Sequence, residues 1–260
     1  MKALLIDGLN LVRRIYAAVP QAESGDREAH LQRAVSASVS SLERALRFHQ
    51  PTHAVVVFET PAPTWRHQLY PDYKKNRKPM PGPLRDGIPA LKDAFLEAGV
   101  ESLERPGYEA DDIIATIAGK IALGGGFSTI LSTDRHYCQL LGEHIEVYDH
   151  FGQRPLDRDL IRDRLGIEPR HLPFFLALTG DSSKSIPGIV GVGPRTAARL
   201  VAEFGDLESL LEAAEGMTGR IGAKIMHGAE SARTALSLFR FKTDIALGIN
   251  LNQLRHTSRR

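Results

Sequence analysis

The chain has 260 residues, 42% hydrophobic and 25% charged, with a formal net charge of +2. This composition fits a soluble globular protein, and no stretch approaches the ~18 apolar residues of a membrane span. The lone cysteine, Cys138, excludes an internal disulfide and a zinc site of several thiolates; it reads as a small core residue.

Residues 1–7 contain a short apolar run that ends in an acid, unlike a signal peptide, so a cytoplasmic protein without a membrane partner is expected. Ala3 to Ile6 predicts a strand buried on both faces, stopping at Asp7-Gly8. Leu31, Val35, Val39, Leu42 and Leu46 stand at helical spacing within residues 27–49. Thr52 to Phe58 predicts a second buried strand, stopping at Glu59. Residues 61–83 are rich in proline and cations and read as an irregular arch outside the core. A helix is predicted over 88–98 and another over Ala110 to Leu123, closed by three glycines at 124–126. Phe127 to Leu131 predicts a third buried strand, stopping at Ser132-Thr133-Asp134.

Strands alternating with helices predict an α/β fold over residues 1–157, with a mainly parallel central sheet and flanking helices. From 158 to 260 short helices separated by Gly and Pro predict a helical region, its helices ending near 245 and its basic tail, His256 to Arg260, frayed.

Each of the three strands ends at an acid: Asp7, Glu59 and Asp134. The helix after residue 107 opens with Glu109, Asp111 and Asp112. Ligands of open α/β sheets sit beyond the carboxyl ends of the strands, so the fold gathers these acids into one crevice. Crowded carboxylates repel unless some take up protons or a hard cation neutralises them. Singly, Asp7 could cap a turn before Gly8, and Asp111 and Asp112 could serve their helix dipole.

Between Trp65 and Lys78 the cations Arg66, Lys74, Lys75, Arg77 and Lys78 interleave with Trp65, Tyr70 and Tyr73. Cations track a phosphate backbone and aromatics stack on unpaired bases, so the stretch suits single-stranded nucleic acid. Further on, Gly188-Ile189-Val190-Gly191-Val192-Gly193 precedes a helix-like run from Pro194, the pattern of a helix-hairpin-helix. Its glycines allow close approach to phosphate, Pro194 fits a first helical turn and Arg195 is placed to meet a phosphate. Such contacts position DNA without reading its sequence.

Together these segments resemble the bacterial and phage 5′ nuclease family, which includes stand-alone flap endonucleases. The resemblance is carried by Leu4-Leu5-Ile6-Asp7-Gly8-Leu9-Asn10, Val57-Phe58-Glu59, Trp65-Arg66-His67, Pro71-Asp72-Tyr73-Lys74, Glu109-Ala110-Asp111-Asp112, Ser132-Thr133-Asp134 and the glycine hairpin, and it runs to Thr243-Asp244. It implies a PIN-like α/β core, an arch that passes a 5′ single strand, and a monomer that cuts 5′-flap or branched DNA with Mg²⁺ during replication or repair. It implies a metal cluster of Asp7, Glu109, Asp111, Asp112 and Asp134 holding two ions close together, with Glu59 where the family has Asp. Lys74 matches the arch lysine that orients the scissile phosphate, making Lys74, Asp111 and Asp112 the catalytic candidates. The DNA-contacting candidates are Arg66, Tyr73, Lys74, Lys75, Arg77, Gly191, Val192, Gly193, Pro194, Arg195 and Thr196. The resemblance also implies a K⁺ ion on main-chain carbonyls of Leu178, Thr179, Pro187, Ile189 and Val192, bridging the hairpin to DNA.

Two departures stand out. The family's Asp-Lys-Asp is Asp134-Arg135-His136 here, and its Gly-Asp-x-Ser-Asp-Asn-Ile-Pro-Gly is Gly180-Asp181-Ser182-Ser183-Lys184-Ser185-Ile186-Pro187-Gly188. His136 and Lys184 thus replace two acids of a second metal site, of which Asp181 stays. These losses support an alternative reading, a DNA-junction binder with a decayed nuclease site. A small RNA-cutting domain of similar acidic α/β type would explain the acids but neither the arch nor the hairpin.

Overall fold

A computed structural model describes residues 1–20, 26–217 and 219–256. Its sheet contains β1 (Lys2–Asp7), β2 (His53–Val57), β3 (Glu101–Leu103), β4 (Phe127–Leu131), β5 (Ile145–Asp149) and β6 (Arg154–Pro155) in the order β3-β2-β1-β4-β5-β6. The first five strands run parallel and β6 closes the edge antiparallel to β5.

Side chains alternate across a strand, so a run of apolar residues feeds two cores. Ala3, Leu5, Val55 and Val57 face a layer built on Ile113, Ile114, Ile117 and Ile121 of α6 (Ala110–Leu123) and continuing into the helical region. Leu4, Ile6, Ala54 and Val56 face the opposite layer of α1 (Gly8–Ala18), α2 (Arg27–His49) and α5 (Ile88–Glu97). Two short helices, α3 (Trp65–Leu69) and α4 (Gly82–Asp86), flank the turns of the cation-rich segment.

The C-terminal region comprises α7 (Arg158–Leu165), α8 (Leu172–Thr179), the two-residue strands β7 (Gly180–Asp181) and β8 (Ile186–Pro187), α9 (Pro194–Phe204), α10 (Leu207–Ala214), α11 (Arg220–His227) and α12 (Ala229–Phe239). Its core joins that of the α6 face without a break. Among the described residues no helix is long and apolar enough to cross a membrane.

Several elements differ from the sequence expectation. Helix α1 follows β1 without a loop, because Gly8 lies against Phe58 and Val57: a Cβ there would come 2.8 Å from the Phe58 ring. The cation-rich segment is not wholly outside the core, since Thr64, Arg66 and Tyr73 are buried. The tail begins bound, with His256 N donating to Thr52 O at 2.9 Å; residues 257–260, expected to fray, lie outside the described residues.

Candidate active site

Strand order reverses around β1, whose carboxyl end stands between those of β2 and β4, and a crevice of about 370 Å³ opens there. Asp7, Glu59, Asp111 and Asp134 line it. Three of them are held by hydrogen bonds. Asp7 caps α1, its Oδ1 accepting from Asn10 N at 3.0 Å while Oδ2 accepts from Ser132 Oγ at 3.0 Å. Asp134 caps the 3₁₀ turn Arg135–Leu140 by accepting from His136 N at 2.9 Å. Asp111, in the first turn of α6, accepts from the buried Tyr137 hydroxyl at 2.9 Å.

Burial and the neighbouring Asp111 push the Asp7 carboxyl up from its ordinary 3.8 to about 7. Burial also raises Asp111 against the pull of Lys184, helped by Asp134 and Glu109; Glu59 is raised by burial as well. Asp134 goes the other way: burial is outweighed by His136 and Lys184, which hold it far below the usual carboxylate range. The crevice is also lined by the cations Arg13, Arg14, Lys74, Arg77 and Lys184.

Glu109 and Asp112 stand behind the crevice. Glu109 accepts from Lys74 Nζ at 2.6 Å, the Tyr73 hydroxyl at 2.9 Å and Arg66 Nη1 at 3.3 Å. Burial alone would raise its carboxyl, but Lys74 and Arg66 outweigh it and bring it down to about 2. Asp112 is fully buried and accepts from Arg66 Nη1 at 2.6 Å, Arg66 Nη2 at 2.9 Å, Trp65 Nε1 at 2.9 Å and Lys242 N at 3.0 Å. The expectation of Asp112 as a catalytic metal ligand is corrected: these donors saturate it and it does not face the crevice. Arg66 and Tyr73 are likewise corrected as DNA contacts. Arg66 is 1% exposed and also donates to Leu238 O and Arg240 O, so it stitches the cation-rich segment, α6 and the C-terminal region together. An ion pair with extra hydrogen bonds on its remaining donors is what makes such burial tolerable.

Asp181 does not line the acidic crevice. It borders a neighbouring cavity lined by Tyr70, Asp72, Lys75 and Asn76 together with residues 179–182 and 185–188. His136 stands between two acids, its Nδ1 2.7 Å from Asp134 Oδ1 and its Nε2 3.2 Å from Asp181 Oδ2; the second is an ionic contact without hydrogen-bond geometry. Ser183 Oγ donates to Asp181 at 2.6 Å, and against burial the His136 ring and Ser183 hold that carboxyl very low.

The cation-rich segment meets the helical region through backbone. Lys74 has φ +56° and its N–H donates to Lys184 O at 2.8 Å; Asn76 N donates to Ser185 Oγ at 3.3 Å. A left-handed non-glycine backbone costs about 1 kcal/mol and persists where surrounding contacts fix it. Lys75 and Arg77 are exposed beyond this junction.

Gly180 and Gly188 press together: a Cβ on Gly188 would lie 2.3 Å from Thr179 C. This close approach brings Leu178 and Thr179 beside Pro187 and Ile189, with Ile189 N donating to Leu178 O at 2.9 Å and Val192 N to Ile189 O at 3.0 Å. The hairpin leads into α9, whose N-terminal Gly193, Pro194 and Arg195 are exposed and carry no side-chain cap, leaving N–H groups for an anion; Gly191 is exposed, Thr196 half-buried and Val192 buried.

Sequence reasoning missed Arg13 and Arg14. Their placement follows once α1 starts at Gly8, since one and a half turns carry them past Asp7 onto the crevice wall. Asn10 was also missed: its Nδ2 donates to Thr133 Oγ1 at 2.9 Å and ties α1 to the end of β4.

Among the described residues no three His, Cys, Asp or Glu side chains stand where they could together hold a metal ion. Mg²⁺ does not require three, because it is usually held by one or two carboxylates with water and substrate phosphate completing the shell. The raised Asp7, Asp111 and Glu59 mark unneutralised negative charge in a buried crevice, the condition that a hard cation relieves. The donor set therefore fits such an ion.

Comparison with known proteins agrees with this geometry. Residues 2–166 match the 5′-3′ exonuclease N-terminal resolvase-like domain, and residues 167–260 match the 5′-3′ exonuclease C-terminal SAM fold. The chain is 42% identical over 254 residues to flap endonuclease Xni of Psychromonas ingrahamii, covering 98% of this chain and 97% of that one. It is 40% identical to flap endonuclease Xni of Pectobacterium carotovorum, covering 97% and 94% of the two chains. The resemblance of its motifs to the short stand-alone group typified by exonuclease nine is thus borne out. In fold it is similar to the T5 D15 protein co-crystallised with metal ions, with a TM-score of 0.77, 19% identity and coverage of 94% and 90%. It also resembles the catalytic core of Rad2 in complex with DNA substrate, with a TM-score of 0.59, 15% identity and coverage of 94% and 80%. The chain belongs to the 5′-3′ exonuclease family and is a DNA nuclease of the flap-endonuclease kind.

Proposed function

We propose that this protein is a structure-specific, Mg²⁺-dependent flap endonuclease that hydrolyses phosphodiester bonds at 5′-flap junctions in DNA, serving replication or repair as a monomer in the cytoplasm. The observation that carries this reading is the single crevice in which Asp7, Glu59, Asp111 and Asp134 face Arg13, Arg14, Lys74, Arg77 and Lys184. Asp7, Asp111 and Asp134 would hold the metal, with Glu59 reaching it directly or through water and Glu109 behind. When bound, a divalent ion there supplies positive charge at the reacting phosphate and acidifies the attacking water.

The remaining work falls to the chain. Lys74, held on Glu109, presents its ammonium to the phosphate. Arg13, Arg14 and Arg77 draw the backbone into the crevice. Lys75 and Arg77 follow the 5′ single strand across the arch, and Gly191 to Thr196 seat the duplex. A K⁺ ion on the carbonyls of Leu178, Thr179, Pro187, Ile189 and Val192 would join the hairpin to a duplex phosphate. Asp181 contributes through His136 rather than through a second metal ion.

Incubation with a labelled 5′-flap DNA, with Mg²⁺ or with EDTA, tests this reading. Mg²⁺-dependent cutting at the junction is expected. The His136 contacts to Asp134 and Asp181 favour one other reading, a junction binder with a decayed centre. Tight binding without cutting in either Mg²⁺ or Mn²⁺ would select it.

A further inference from the structure

Lys184 is a buried residue, 9% exposed, yet among the described residues its ammonium forms no hydrogen bond. The nearest carboxylate oxygen, Asp111 Oδ2, stands at 3.9 Å, beyond hydrogen-bond reach. Buried lysines are almost always closely paired, whereas this one has only a loose ion pair and its ammonium opens onto the crevice. Lys74 on the same crevice shows the ordinary arrangement, with Nζ 2.6 Å from Glu109 Oε1.

The other carboxylates on this flank offer Lys184 no hydrogen bond, although its charge reaches Asp134. Asp134 and Asp181 are both engaged by His136, and Asp181 also takes the Ser183 hydroxyl. The backbone around Lys184 is fixed. Asp181 caps the 3₁₀ turn Ser182–Lys184, Ser185 follows with φ +56°, and Lys184 O accepts the Lys74 N–H at 2.8 Å. A rigid main chain therefore aims an ammonium with unused donors into a crevice that must receive a phosphodiester.

We propose that Lys184 is a phosphate-binding residue of the cleavage centre, its ammonium taking a non-bridging oxygen of the phosphate that enters beside Asp111. The proposal rests on the nuclease reading and names a further substrate contact within it. A phosphate oxygen supplies the short, charge-assisted hydrogen bond that Asp111 at 3.9 Å does not. Because Lys184 O holds the Lys74 backbone, the two ammonium groups would meet the phosphate as one clamp, Lys74 held on Glu109 and Lys184 without a hydrogen bond of its own. A lysine charge is present with or without metal, so its share of DNA affinity persists in EDTA, where the acids otherwise repel the backbone.

The test measures binding of a labelled 5′ flap in EDTA across a salt series, and single-turnover cleavage in Mg²⁺, for wild type, Lys184→Met and Lys184→Arg. Lys184→Met is expected to lose about tenfold in affinity in EDTA, to lower the salt slope by about one, and to cut more slowly. Lys184→Arg is expected to recover binding and slope, which a folding defect at this position would not allow. Unchanged affinity and slope in Lys184→Met, alongside a wild type that cuts, would overturn the assignment. A wild type that binds but never cuts would overturn the nuclease reading instead.

Discussion

Lys74 Nζ lies 2.6 Å from Glu109 Oε1, while the backbone of Lys74, in the left-handed region, is pinned to Lys184 O. This lysine of the acidic crevice is thus fixed from both ends, by α6 and by the helical region. Glu109 serves this lysine first, and Lys74, Arg66 and Tyr73 together occupy its two oxygens.

Glu109→Gln should therefore lower the cleavage rate through loss of Lys74 positioning. It keeps the shape but removes the charge that Lys74 and Arg66 neutralise, and a loss of about 2–4 kcal/mol in stability is expected. Single-turnover cleavage and thermal unfolding check this. A rate within twofold of wild type would show that the Lys74–Glu109 pair is dispensable.

Asp112→Asn should behave as a stability mutant. Arg66 would lose its two short charge-assisted bonds in a fully buried site, at a cost of about 3–5 kcal/mol. Denaturant unfolding should show the loss, while metal affinity of the folded protein stays near wild type. Weakened metal binding with unchanged stability would put Asp112 back among the ligands.

The metal-free protein should lose stability as pH rises. Asp7 is raised from 3.8 to about 7, so the folded state holds a proton that the unfolded chain releases near its ordinary value. That contribution is complete below the unfolded value and disappears as pH climbs through about 7. Mg²⁺ competes with the same proton, so its stabilising effect should grow across this interval. Melting temperatures in EDTA and in Mg²⁺, at about pH 5 and about pH 8, measure both slopes. An Mg²⁺ effect that is equal at the two values would contradict the assignment of Asp7 to the metal.

Arg195→Ala should weaken duplex binding and reduce the salt slope by about one, since an exposed arginine at the uncapped start of α9 meets phosphate and not a base. The cleavage rate at saturating enzyme should stay near wild type. A changed rate with unchanged affinity would move Arg195 from seating DNA to the chemistry.

Most of the crevice was legible in the sequence, because apolar runs that stop at Asp7, Glu59 and Asp134 fix both the parallel sheet and the edge on which the acids gather. What composition could not show was direction. Glu109, Asp111 and Asp112 are adjacent along one helix start, yet a 3.6-residue turn points Asp111 into the crevice and Asp112 into the core. Arg66 and Tyr73 read as DNA-facing because cations and aromatics cluster there. Their partners, Asp112 and Glu109, lie dozens of residues away and only the fold brings them together. Lys184 read as the loss of an acid, and only its burial without a hydrogen-bond partner revealed a residue aimed at the site.

The crevice acids Asp7, Asp111 and Asp134 are expected to form a metal-dependent cutting centre. This is tested most directly by comparing wild type with Asp111→Asn on one labelled 5′ flap, with cleavage measured across an Mg²⁺ titration and binding measured in EDTA. The variant is expected to bind the flap about as tightly as wild type, to unfold no more easily because a crowded negative charge is gone, and to fail to cut at any Mg²⁺ concentration. An Asp111→Asn protein that cuts at the wild-type rate with the wild-type Mg²⁺ dependence would contradict it.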